Sequence, residues 1–156
     1  MNSRDWLASG DLEQRPTTRS EIARLLHLAR RNVADAGVEA LSLDRRFNTA
    51  YEAAYALATV VLRASGYRVK GSSSRHHWLT FTLLPELMGP EAESRSRYYQ
   101  SCRRKRHQAT YERAGVATPA ELHDLLADVS AFHHEVLAWL HEHHRDLLPP
   151  EETPAL

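Results

Sequence analysis

Between Ser42 and Gly66 the chain carries a long helical stripe in which Phe47, Ala50, Tyr51, Ala54, Ala58, Val61 and Leu62 recur on one face. Ser42 supplies an N-cap and Gly66 a stop. The alanines are the restrictive part of this pattern. Small side chains let neighbouring helices approach closely, so a stripe of this kind predicts a central helix touched on more than one side. The rest of the chain must then supply helices to cover it.

Candidates for that cover stand on either side. Thr18 followed by Glu21 reads as a capping box, and Ile22, Leu25, Leu26, Ala29 and Val33 follow at helical spacing until Gly37. Thr118-Pro-Ala-Glu121 combines a capping box with proline at the first helical position, and opens a stripe of Leu122, Leu125, Val129, Phe132, Val136, Trp139 and Leu140 that ends before Pro149. Trp78 to Leu84 is β-rich in composition, but it is short and has no evident partner strand, so a short helix running to about Leu87 is expected. Gly66 to His77, with Gly71-Ser-Ser-Ser-Arg75 at its centre, reads as a loop. No strand precedes it and the Gly and Lys spacing of a phosphate-cradling loop is absent. The fold class expected is all-α, with residues 1–17 as an arm anchored by Trp6 and Leu7, 18–148 as the helical domain, and 149–156 as a disordered tail.

Size and charge limit the function classes. A chain of 156 residues can bury about two-thirds of its unfolded surface without a disulfide. It has one cysteine, Cys102, and lacks a charge-flanked apolar N-terminal segment, so a cytoplasmic location is expected. No apolar run approaches the ~20 residues needed to span a bilayer. Lys plus Arg and Asp plus Glu both total 20, which argues against a protein whose whole surface attracts nucleic acid. A local patch remains open.

That patch is Arg97 to Arg113, which reads as a helix with few apolar residues to bury. Arg103, Arg104, Lys105 and Arg106 are consecutive, and His107 and Tyr111 follow. Residues four apart share a face, so Tyr99, Arg103, His107 and Tyr111 are expected to form one ridge, with Arg106 about 100° round from His107. Adjacent like charges repel, and the nearest acids in sequence, Glu93 and Glu112, lie outside the run. Pro90 suits the start of this helix and Gly115 its end. The bland reading is a solvated charged face; the functional one is an aromatic-flanked cationic surface.

Arg-Arg-Lys-Arg-His-Gln-Ala-Thr-Tyr-Glu resembles the signature helix of HEPN domains, an all-α family of prokaryotic toxin–antitoxin, nucleotide-binding and RNA-cleaving systems. Its active members carry Arg, a polar residue, three variable residues and then His. Here Arg106 and His107 fill the first two places, and Tyr111 stands where that His would be. Arg46 to Ala58, Ala64 to Arg68 and His76-His77-Trp78 are similar to the preceding helix, its glycine exit and the next helix start, so the likeness spans roughly residues 20 to 148. The resemblance implies an up-and-down bundle of four to five main helices with short extra helical segments. It also implies a homodimer paired across the motif helix, and RNA, a nucleotide or an antitoxin-type protein as partner.

In family members that cleave RNA without a metal, Arg holds the phosphate and His assists attack by the ribose 2′-hydroxyl. Carried over, Arg106 would bind phosphate, His107 would shape the site and Tyr111 would occupy the base position. A phenol titrating near ~10 is a poor base at neutral pH, which favours a binding module over a ribonuclease using Arg106 with His107 or Tyr111. No cofactor is expected.

Two other chemistries are weaker. Six of the ten histidines fall in the last helix, but only His141 and His144 are three apart and the four-apart pairing typical of helical zinc sites is missing, so no metal is expected. Cys102 reads as a small buried hydrophobe rather than a nucleophile. Tyr51 and Tyr55 read as core aromatics with wet tips, with the alternative that their hydroxyls reach the arginine helix.

Overall fold

The computed structural model describes residues 1–71, 73 and 75–152. The architecture is all-α. Helices α1 (Ser3–Ser9), α2 (Arg19–Ala36), α3 (Leu43–Ala64), α4 (His76–Thr82), α5 (Leu84–Met88), α6 (Glu93–His107) and α7 (Pro119–His143) occupy most of the chain. Single 3₁₀ turns stand at Pro90–Ala92, Arg145–Leu147 and Pro150–Glu152, and a π turn at Gln108–Glu112. The bundle is built from the four long helices α2, α3, α6 and α7. No helix among the described residues is long and apolar enough to cross a membrane.

Helix α3 sits at the centre. Ala50, Ala53, Ala54, Ala56, Ala58, Val60 and Val61 are all buried, so the helix is covered well beyond a single stripe. Its most extensive partners are α2 and α7, while α4, α5 and α6 close the remaining sides. Alanine makes this geometry workable, because it leaves room for close backbone approach on several faces. Ser42 and Thr118 cap α3 and α7 as their sequences predict, and Thr118 with Glu121 forms both arms of a capping box. At α2 only one arm forms. Thr18 accepts from the Glu21 amide, but the Glu21 carboxylate turns instead to Arg63 and Arg68, at 3.1 and 2.6 Å. Burial pushes that carboxyl up, and the Arg68 and Thr17 hydrogen bonds with the Arg63 charge outweigh it, leaving a net downward shift.

The first residues form more than an arm. Strand β1 (Leu12–Gln14) pairs antiparallel with β2 (Tyr67–Val69), in register Leu12 to Val69 and Gln14 to Tyr67. Gly66, at φ +90°, turns the chain from α3 into this ribbon, and its carbonyl accepts from the Arg15 amide at 2.8 Å. Trp6, Leu12, Leu62, Leu79 and Leu83 make a second, smaller core, with Trp6 edge-on to Trp78 at 5.5 Å. The expected loop from Gly66 to His77 therefore begins as a strand; Ser72 and Ser74 in its glycine-serine stretch lie outside the described residues.

At the other end, Leu148 and Pro149 are buried and Glu152 pairs with Arg30. Within the segment expected to be a disordered tail, 149–152 is thus packed, and 153–156 lie outside the described residues.

Candidate functional site

Helix α6 buries fewer residues than the other long helices. It buries Ser96, Tyr99 and Cys102 only. Tyr99, fully buried, packs between Phe81 and Phe132 at 5.4 and 5.5 Å, so the first member of the expected ridge belongs to the core. Polar lashings supply the rest. Arg95 pairs with Asp128 and Glu135 of α7 and lies 5.0 Å over the Phe132 ring. Ser96 donates to the Phe81 carbonyl at 2.7 Å, and Gln100 donates to the Trp78 carbonyl and Thr82 hydroxyl. Cys102 is 3% exposed and burial pushes its thiol up to about 11, which suits a packing role and not a nucleophile.

The four consecutive cations do not repel one another unopposed, because the compensating acids come from other helices. Lys105 pairs with Glu121 of α7. Arg106 turns inward onto α3, where Nε donates to Asn48 at 2.8 Å and Nη2 contacts Glu52 at 3.2 Å; its guanidinium stands 5.7 Å from the Tyr51 ring. Arg103 is steadied by the neutral Gln100 side chain at 2.9 Å, and Arg104 is exposed. Arg103 and Arg104 are the members of the run without an acidic partner among the described residues.

Past the run, α6 widens into the π turn, a distortion often found at functional sites. His107 and Tyr111 lie against each other there with centroids 4.9 Å apart and planes tilted by 46°, and Tyr111 is 68% exposed. Gly115, at φ +76°, follows, and the Asp44 carboxylate accepts from the Gly115 and Ala117 amides at 2.6 and 3.0 Å. The helix therefore ends before the glycine that its sequence marks as a stop. Arg106 faces α3 while His107 and Tyr111 face outward, so the three residues of the expected motif do not converge within one chain.

At the junction of α3, α4 and α6, His77, Asn48 and Glu52, which sequence reasoning did not assign to the site, join Tyr51 and Tyr55. His77 of α4 lies flat on Tyr55, with centroids 3.8 Å apart and planes within 4°, and its Nδ1 is 2.6 Å from the Tyr51 hydroxyl. Burial, then the charges of Arg106, His76 and Arg103, lower its pKa to about 4. Burial likewise raises the Tyr51 hydroxyl far above its usual range. Asn48, Tyr51, Glu52 and Tyr55 fall at helical spacing on one side of α3, so a polar stripe beside the alanine face was the signal available in sequence.

A concavity of about 810 Å³ lies elsewhere, between α6 and α7, lined by Glu91, Asp124, Asp128, Glu135 and Glu142 together with Arg95, Tyr98 and Trp139. Its excess of carboxylates has the wrong sign for phosphate. Among the described residues no group of three or more His, Cys, Asp or Glu side chains is placed to hold a metal ion. His134 bonds to the Ser130 carbonyl, and His143 packs against Trp139. No protein-family model, curated protein or solved structure matches the chain.

Proposed function

We propose that this protein is a HEPN-like helical module that binds the phosphate backbone of single-stranded RNA through the surface of α6 carrying Arg103, Arg104 and Arg106. The observation that carries this reading is the uneven neutralisation of the cation run. Lys105 and Arg106 have carboxylate partners, whereas Arg103 is held in place by the neutral Gln100 amide. A fixed, uncompensated guanidinium beside an exposed one is suited to a phosphate, for which arginine offers a rigid fork of donors. Aromatic Tyr111 and His107 next to the run supply stacking faces of the kind single strands use. The ribonuclease reading draws less support, because Arg106 turns away from His107 and Tyr111. Pairing of two copies across α6 would enlarge the cationic surface, and an antitoxin-type partner would compete for it.

Binding of a labelled single-stranded RNA, measured in EDTA as salt is raised, tests the proposal and shows cleavage if it occurs. With two uncompensated cations engaged, log K should fall against log salt with a slope of about −1.4. Arg103→Gln with Arg104→Gln should remove most of that slope. Binding that ignores salt, or no binding, would refute it.

A further inference from the structure

We propose that His77 is an uncharged hydrogen-bond donor, through Nε2–H, to a non-bridging oxygen of a phosphodiester linkage lying beside Arg103 and Arg106. This rests on the phosphate-binding reading of α6 and names the linkage it takes.

The tautomer follows from relative acidity. The Tyr51 hydroxyl and His77 Nδ1 are 2.6 Å apart. A phenol is the stronger acid and an imidazole nitrogen the stronger base, so Tyr51 donates and Nδ1 accepts, which leaves the ring proton on Nε2. Stacking on Tyr55 at 3.8 Å and the Tyr51 ring at 5.7 Å fix the plane of the imidazole. Among the described residues Nε2 has no hydrogen-bond partner and is not enclosed. The nitrogen is thus a donor fixed in its ring plane, with no acceptor among the described residues.

The charged and titratable groups around the ring come from three elements: Tyr51, Glu52 and Tyr55 of α3, Arg103 and Arg106 of α6, and His76 on its own helix. Burial and the two arginines disfavour a third positive charge, so His77 stays neutral where an ordinary histidine begins to protonate. With His77 neutral, Arg103 and Arg106 opposed by Glu52 leave a single positive charge at the junction. That matches the single negative charge of a phosphodiester better than the dianion of a terminal phosphate.

The test measures binding of a labelled single-stranded RNA to wild type, His77→Ala and His77→Gln by fluorescence anisotropy at fixed ionic strength. Long-range ¹H–¹⁵N spectra of the histidines run alongside. Loss of the donor should weaken binding about tenfold, and glutamine, whose amide can replace Nε2–H, should restore affinity to within about threefold. The change in affinity between about pH 8 and about pH 5.5 should be the same in wild type and His77→Gln, since His77 does not charge in that window while His76 and His107 remain in both proteins. The spectra should place the proton on Nε2. A dinucleoside monophosphate should compete better than a nucleoside 5′-monophosphate. Unchanged binding by His77→Ala, a gain of affinity on acidification that His77→Gln abolishes, a proton on Nδ1, or the reverse competition order would each overturn the assignment while RNA binding itself stands. Failure of wild type to bind RNA would instead remove the reading of α6 and this inference with it. If His77→Ala does not fold, as circular dichroism would reveal, the glutamine variant and the spectra decide.

Discussion

Glu52 is the group whose removal should make the protein bind RNA more tightly. Its carboxylate sits 3.2 Å from Arg106 Nη2, with side chains 34% and 25% exposed respectively. A phosphate oxygen bonded to the outer edge of that guanidinium would lie about 6 Å from the carboxylate, where two unit charges repel by about 0.7 kcal/mol in water and about 2.8 kcal/mol at an effective dielectric of about 20. The junction is partly open, so a value near 1.4 kcal/mol is appropriate, about tenfold in Kd. Glu52→Gln removes the charge but keeps an oxygen that can accept from Arg106, and Asn48 still holds Nε. An ion pair this exposed contributes no more than about 1 kcal/mol to folding, so the variant should remain native. Fluorescence anisotropy with labelled RNA at low salt reads the gain. Glu93→Gln, at the opposite end of α6 and about 20 Å away, is the control, since charges that far apart are screened. Equal or weaker binding by a folded Glu52→Gln protein, or an equal gain from Glu93→Gln, would refute the placement of phosphate at Arg106.

Two further outcomes follow from groups outside the junction. Cys102, buried with its thiol pushed up to about 11, should resist a disulfide-exchange reagent at about pH 8 in the native protein and react once urea unfolds it; rapid native labelling would contradict its burial. Asp44 accepts from the Ala117 and Gly115 amides, which lowers its pKa below the unfolded value, so its stabilisation is complete above about pH 3.9 and is lost as pH falls through the folded value. Urea midpoints of Asp44→Ala should therefore lie below wild type near neutrality and converge with it in acid; a constant gap at every pH would show that the loss is not electrostatic.

The bundle was legible because its determinants are local. Ser42 and Thr118 announce helix starts through side-chain oxygens a few residues from the amides they cap, and the alanine stripe of α3 declares a central position. The β1–β2 ribbon was not legible, since three-residue strands carry too little alternation to read and their partners are separated by the whole of α2 and α3. The site divided the same way. The cation run is visible as a run, but its neutralising acids, Glu52 and Glu121, lie on other helices, where only folding reveals them. His77 was legible only as part of a helix start. Its character comes from Tyr51 and Tyr55 across the helix interface, and no spacing within α4 encodes that.

The ribbon also orders events during synthesis. Trp6 and Leu12 complete their burial only after Leu79 and Leu83 have been made. At about 5–20 residues per second, the N-terminal segment therefore waits several seconds with its tryptophan in water, while α2 and α3 can already pair. Its docking is a late, non-local closure, slower than helix pairing because a long loop must be ordered first. The change in Trp6 emission on folding should lag the gain of helical signal, and that lag would report the moment when the chain's first residues fasten onto the end of its central helix.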